Sequence, residues 1–197
     1  MSKLQRSMVL NKSMSENTQV PADQYPPRTI ALVGLMGAGK TTVGRRLANA
    51  MGREFCDSDR EIEKAAGLSI SDIFSLHGEA EFRRGEMRVL ERLLGNPVHV
   101  LATGGGAYLN EDTRKLMQEK AITVWLNADL ETLWRRVSKR DHRPLLKRPD
   151  AREVLSRLLD ERTPIYSEAD LVVVSEDGPH SATVDHILVA LKDWKPA

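Results

Sequence analysis

The residues Gly34-Leu35-Met36-Gly37-Ala38-Gly39-Lys40-Thr41 meet the pattern G-x-x-x-x-G-K-[ST] at every fixed position. The apolar run Thr29-Ile30-Ala31-Leu32-Val33 precedes them, and Val43, Leu47 and Ala48 follow at helical spacing. Strand, glycine-rich loop and helix in that order turn a pattern match into a structural expectation. Glycines let successive backbone N–H groups curl inward around phosphate oxygens, and the helix N-terminus adds partial positive charge. Lys40 would reach the β- and γ-phosphates, and the Thr41 hydroxyl can ligate Mg²⁺. The bland alternative is a glycine-rich strand-to-helix turn with a chance Gly-Lys-Thr; the correct flanks on both sides argue against it. A dinucleotide fingerprint is excluded, because the glycines are spaced G-x-x-G-x-G and not G-x-G-x-x-G. The loop is expected to bind a nucleoside triphosphate, with Gly37, Ala38, Gly39, Lys40, Thr41 and Thr42 around the phosphates.

A chain of 197 residues suits one domain with a short tail. With 41% apolar and 29% charged residues and a formal net charge of +1, it reads as an ordinary soluble protein. Nothing in that balance favours nucleic acid or a membrane surface as the main partner. The lone cysteine, Cys56, cannot form an internal disulfide, which fits a reducing, cytoplasmic setting. No apolar run approaches the ~20 residues needed to span a bilayer. Residues 1–27 are polar, contain Pro21, Pro26 and Pro27, and show no period, so a disordered extension is expected before a single domain at 28–197. A weak organellar address is the minor alternative.

Along the domain, short apolar runs alternate with helical patterns. Strands are expected at 29–33, 54–56, 98–102, 122–126 and 171–174. The helices between them are expected at about 59–66, from a Ser69-x-x-Asp72 capping box to Gly78, at 79–94, 111–120 and from the Asp129 cap onward. Two more are expected, one from an Asp150/Glu153 capping box to about Arg162, where Pro164 interrupts it, and one at 182–194. Such alternation implies parallel β-α units and a three-layer α/β/α fold, with strands buried on both faces. Ligands of such sheets sit beyond the C-terminal strand ends. That rule gathers the phosphate loop, Asp57, Asp59 and Gly104 to Gly106 into one place.

Phosphoryl transfer requires neutralised phosphate charge, a positioned acceptor hydroxyl and exclusion of water. Asp57 and Asp59, two apart at the end of an extended segment, should leave one face. Their natural division assigns Mg²⁺ to Asp57 and an acceptor hydroxyl to Asp59; the alternative is a polar strand end with Asp59 as helix N-cap. Arg83 and Arg84 are adjacent on a helix, so one of them should enter the cleft, and no local acid pairs ideally with it. An anionic substrate would be its partner. Three consecutive glycines after the third strand suggest a ligand lying on bare backbone, against the alternative of a tight turn. The charged segment 139–148 reads as a lid carrying Arg143 to the transferring phosphoryl group, or else as a solvated basic loop. There is no N-K-x-D base-reading tetrapeptide, and the third strand lacks a terminal acid, which strengthens Asp57 for Mg²⁺.

The ordered set Gly-Leu-Met-Gly-Ala-Gly-Lys-Thr-Thr-Val-Gly at 34–44, Phe-Cys-Asp-Ser-Asp at 55–59 and Gly-Glu-Ala-Glu-Phe-Arg-Arg at 78–84 continues with Gly-Gly-Gly-Ala at 104–107, Arg-Pro-Leu-Leu at 143–146 and Glu-Arg-Thr-Pro-Ile-Tyr at 161–166. This set resembles the shikimate kinases, from Arg28 to about Lys192. The resemblance implies a phosphate-loop kinase with a five-stranded parallel sheet in the order 2-3-1-4-5, a lid at about 139–150, and ATP with Mg²⁺. It implies transfer of the γ-phosphoryl group to the 3-hydroxyl of shikimate, on the route to chorismate and the aromatic amino acids, by a monomer in the cytoplasm. It assigns Asp59 to the reactive hydroxyl, Asp57 and Thr41 to Mg²⁺, and Arg83 and Arg162 to the shikimate carboxylate. It assigns Gly105 and Gly106 to backbone contacts with substrate, Lys40 and Arg143 to the phosphates, and Arg140 or Arg136 to adenine. Asp177-Gly178-Pro179 occupies the loop that flanks adenine but lacks the family's asparagine or arginine character. Two other readings remain at this point: a related kinase acting on gluconate or a nucleoside monophosphate, and an ATP-binding protein without transferase activity.

Overall fold

Five apolar runs become strands: β1 (Thr29–Val33), β2 (Glu54–Asp57), β3 (His99–Ala102), β4 (Ala121–Asn127) and β5 (Leu171–Val174). In the computed structural model, which describes residues 24–139 and 150–196, they form one sheet in the order β2-β3-β1-β4-β5. Every pairing is parallel; Ile30 stands opposite Val100 on one side and Ile122 on the other. The expected order and three-layer architecture are both found. β1 and β3 are buried throughout, as continuous apolar runs between two helical layers should be. At the β5 edge the expectation fails: Val173 is buried, while Val172 and Val174 are 51% and 55% exposed.

The helices are α1 (Lys40–Met51), α2 (Ser58–Ala66), α3 (Ile70–Leu94), α4 (Glu111–Lys120), α5 (Leu130–Val137), α6 (Ala151–Tyr166) and α7 (His180–Asp193). Ser69 caps α3 by accepting from the Asp72 amide at 3.1 Å, as the capping pattern predicts. The two helices expected on either side of Gly78 are one rod broken there, where Gly78 adopts φ 76° and ψ 173°. Beyond the break, Phe82, Glu86, Val89, Leu90, Leu93 and Leu94 are buried. A carboxylate thus occupies the apolar stripe.

Three local expectations are corrected. α6 runs through Pro164 to Tyr166. A proline so near the C-terminus removes a bond only from the last turns, and the Ser167 amide still reaches the Thr163 carbonyl at 3.0 Å. Asp150 stands at the N-cap of α6 but makes no side-chain capping bond, because its backbone (φ −95°, ψ 18°) is not extended. The folded region also begins earlier than residue 28. Tyr25 is buried in the core, and Arg53 donates to the Pro26 carbonyl at 2.8 Å and the Arg28 carbonyl at 3.0 Å. Residues 1–23 and 140–149, which include most of the expected extension and lid, lie outside the described residues.

One side chain completes the sheet where β5 begins. Asp170 accepts from the Thr123 amide at 2.7 Å and the Thr123 hydroxyl at 2.6 Å, and its own amide donates to that hydroxyl at 2.9 Å. Thr123 is fully buried, so its amide has no recourse to water. Asp170→Ala is expected to cost about 2–3 kcal/mol, read as a lowered urea midpoint with an unchanged slope.

Candidate active site

The phosphate loop leaves the C-terminal end of β1 and enters α1, with Gly39 at the N-cap. Gly37 has φ 86°, and a Cβ there would lie 2.8 Å from Val137 Cγ1, so both backbone and space demand glycine. Lys40 folds back over the loop, its Nζ donating to the carbonyls of Gly34 at 2.6 Å and Leu35 at 3.1 Å. The ammonium is therefore held above the curl of amides that a polyphosphate would occupy.

Asp57 ends β2 and caps α2, its Oδ1 accepting from the Asp59 amide at 3.2 Å. Its Oδ2 accepts from the Thr41 hydroxyl at 2.9 Å. This corrects two readings. Asp57, not Asp59, is the N-cap, and the two acids do not share the face of a strand, because Asp59 is already in the first helical turn. They diverge instead, Asp57 toward Thr41 and Asp59 into the cleft. The Thr41–Asp57 pair suits Mg²⁺, a hard cation commonly held by one or two protein oxygens together with substrate phosphates and water. Among the described residues, no cluster of three His, Cys, Asp or Glu side chains could hold a metal by itself.

A cleft of about 1180 Å³ opens from the loop past Asp59, Arg83, the glycine run, Arg136 and Arg162. Arg83 does have local acids, contrary to expectation. It donates to Glu86 at 2.5 Å and to Glu79 at 3.2 Å, on successive turns of α3. Glu86 is 1% exposed. Burial pushes its carboxyl above the ordinary range; Arg83 draws it back, while Asp59 and Glu79 add to the upward push. Arg83 feels the same burial as a downward pull, but Glu86 and Glu79 outweigh it. Glu86 was the residue missed in the sequence, although a glutamate four residues after Phe82 and four before Leu90 was a visible anomaly on an apolar stripe.

The glycine run has a reason beyond ligand contact. A Cβ at Gly104 would lie 2.7 Å from Asp59 Oδ1, and one at Gly106 would lie 2.5 Å from the Arg83 guanidinium. Both positions are vacated for side chains of the site. Gly105 has ordinary space, 3.5 Å to the nearest atom. Its carbonyl accepts from the Tyr166 hydroxyl, a second contact that sequence reasoning did not find.

At the other end of the cleft, Arg136 donates to Ser175 Oγ at 3.0 Å and the Glu176 carbonyl at 2.6 Å, with longer contacts to the carbonyls of Gly37 and Ala38 at 3.4 Å. Burial pulls the pKa of its guanidinium below the ordinary value. His180, at the start of α7, and Lys139 line the same end. Of the two arginines considered for the base, Arg136 is thus in the cleft wall, and Arg140 lies outside the described residues, as does Arg143.

A family model described as shikimate kinase matches residues 36–192. A shikimate kinase of Caulobacter vibrioides is 56% identical over 165 residues, covering 84% of this chain and 82% of its own. Among solved structures, the shikimate kinase from Acinetobacter baumannii in complex with shikimate superposes with a TM-score of 0.82 at 39% identity, over 88% of this chain and 98% of its own. A gluconokinase from Sinorhizobium meliloti reaches a TM-score of 0.58 at 19% identity, over 85% of this chain and 93% of its own, and shares the fold alone.

The Glu86 carboxyl has a consequence for stability. Its folded-state pKa lies above the unfolded value of about 4.3, so folding favours the neutral form. That contribution is complete below the unfolded value and is lost as pH rises through the raised folded value. Glu86→Gln, neutral at every pH, is expected to gain stability relative to the parent chain as pH rises from the unfolded value through the raised folded value. Urea midpoints that diverge with rising pH would bear this out, and parallel midpoints would refute it.

Proposed function

The chain belongs to the shikimate kinase family, and from that premise we propose which of its residues carry the reaction. It is an ATP-dependent kinase that transfers the γ-phosphoryl group of ATP to the 3-hydroxyl of shikimate, yielding shikimate 3-phosphate and ADP. The observation that carries the residue assignment is the meeting of Asp59, Arg83, Arg162 and the glycine run in one cleft with the phosphate loop.

On this reading the loop amides from Gly37 to Thr42 and the Lys40 ammonium receive the β- and γ-phosphates. Lys40 exchanges its carbonyl partners for phosphate oxygens and so meets the charge that builds during transfer. Asp59 accepts the proton of the reactive hydroxyl and aims its oxygen at the γ-phosphorus. Arg83 and Arg162 hold the shikimate carboxylate. A guanidinium has five N–H donors, so Arg83 can keep Glu86 and still accept a carboxylate; Glu79, 69% exposed on its side chain, is the partner easily exchanged. Gly105 and Gly106 offer backbone groups to the substrate, and Arg143 brings positive charge to the transferring group. Arg136 is preferred to Arg140 for the adenine, since its guanidinium is part of the cleft wall. Thr41 and Asp57 would hold Mg²⁺, which would supply positive charge against the phosphates.

We further read the protein as a cytoplasmic monomer. For the compartment, the support is the single cysteine, which cannot form an internal disulfide and so suits a reducing setting.

Coupled ADP release with shikimate, and with gluconate as competitor, tests the acceptor. Turnover that requires shikimate is expected, and none above the shikimate-free rate would refute the reading. Asp59→Asn should abolish product while nucleotide binding persists. Arg83→Ala or Arg162→Ala should raise the shikimate KM by roughly ten- to a hundredfold, as befits a lost charged hydrogen bond, with ATP affinity near normal; a uniform loss of ATP affinity would contradict the assignment. Arg143→Ala should reduce turnover far more than either affinity, because its contact strengthens at the transition state.

A further inference from the structure

Tyr166 follows Arg162 by four residues on α6 and therefore shares its face. Its side chain is 1% exposed, and its ring faces that of Trp125 with centroids 6.0 Å apart and planes tilted by 28°. Trp125 in turn backs the phosphate loop, since a Cβ at Gly34 would lie 3.2 Å from its Cδ1. Packing alone would be served as well by phenylalanine. A buried phenol requires a partner, and this one donates to the Gly105 carbonyl.

That bond falls on a significant peptide. Gly104 and Gly106 are glycine for lack of space, whereas Gly105 has room for a side chain and, as glycine, little to restrain its backbone. The peptide joining Gly105 to Gly106 is planar and trans, so its C=O and N–H point in opposite directions. A hydroxyl that holds the Gly105 carbonyl on the Tyr166 side turns the Gly106 N–H the other way. The Arg162 and Arg83 guanidinium groups both stand close enough to the phenol to oppose the upward push that burial gives it.

We propose that Tyr166 is a positioning residue for the acceptor: by holding the Gly105 carbonyl it presents the Gly106 amide to the cleft and keeps the glycine run in register with Arg162. The inference rests on the acceptor assignment above. It makes Tyr166 the link through which the third-strand loop and the carboxylate-binding arginine move as one unit.

Tyr166→Phe in the full chain keeps the ring and its packing on Trp125 and removes only the hydroxyl. The expected result is a split: shikimate KM rises roughly tenfold, the cost of one hydrogen bond, while kcat falls by less than about threefold and ATP KM stays within about twofold. A merely structural tyrosine would lower the melting temperature and leave the shikimate KM in place, and that outcome overturns the proposal. The parent chain is assayed alongside. If it does not turn over shikimate, the acceptor reading fails and this inference with it; if it does and the variant's KM is unmoved, only this inference fails. A second measurement needs no variant, and so decides the matter even if Tyr166→Phe does not fold. In the ¹⁵N-labelled parent chain the Gly106 amide resonance should shift on addition of shikimate, and a stationary resonance overturns the proposal.

Discussion

Parallel pairing of β1 with both β3 and β4 is the constraint on which the rest of the molecule depends. A parallel strand buried on both faces ends among other strand ends, and everything needed near its loop must arrive on neighbouring connections. Here β1 delivers the phosphate loop. β2, one strand removed, delivers Asp57 and Asp59, and β3, directly adjacent, delivers the glycine run. From the opposite side, β5 is followed by Ser175, whose hydroxyl donates to the Ala38 carbonyl at 3.1 Å and accepts from Arg136. The loop that accepts phosphate is thus braced from both flanks before any ligand binds, and braced groups need no reorganisation when charge develops.

The second organising term is electrostatic. Among the described residues the cleft is lined by five cations, Lys40, Arg83, Arg136, Lys139 and Arg162, against three carboxylates, Asp59, Glu63 and Glu86. The excess suits two anionic substrates. The carboxylates are not wasted on it, because Glu86 lies almost fully buried under Arg83 and fixes its direction. A buried ion pair contributes little net stability once both partners are desolvated, but it does specify geometry. The glycines at 104 and 106 serve the same arrangement, for a side chain there would displace the Asp59 carboxylate or the Arg83 guanidinium from its place.

Local patterns were readable where a residue's neighbours in sequence are also its neighbours in space. The phosphate loop, the Ser69 cap and the break at Gly78 all follow from backbone preferences acting over a few residues. Misreadings arose where tertiary packing overrode such preferences. Asp57, and not Asp59 as the alternative reading had it, took the cap because β2 extends one residue further, paired to Ala102. Pro164 failed to end α6 because the turn beyond it is held by the burial of Tyr166 and its bond to Gly105. The acids beside Arg83 were in view at the right helical spacing, yet the outward solvent face is the usual destination of such pairs; only the packing of α3 shows that Glu86 points inward.

Sequence by itself determined the class of fold, the order of the strands through a family likeness, and the phosphate loop, and it offered as candidates Asp59, Arg83, Arg162 and the glycines, which line one cleft. It could do so because glycine-rich curls, strand runs and ordered motifs are one-dimensional signals. Tertiary structure alone decided which acid caps and which faces the cleft, that Arg83 leans on a buried Glu86, that Arg136 is built into the cleft wall, and that Tyr166 holds the Gly105 carbonyl. Each of these depends on a distance between atoms on separate elements, or on the side from which one helix packs on another, and neither quantity is encoded in any short stretch of chain.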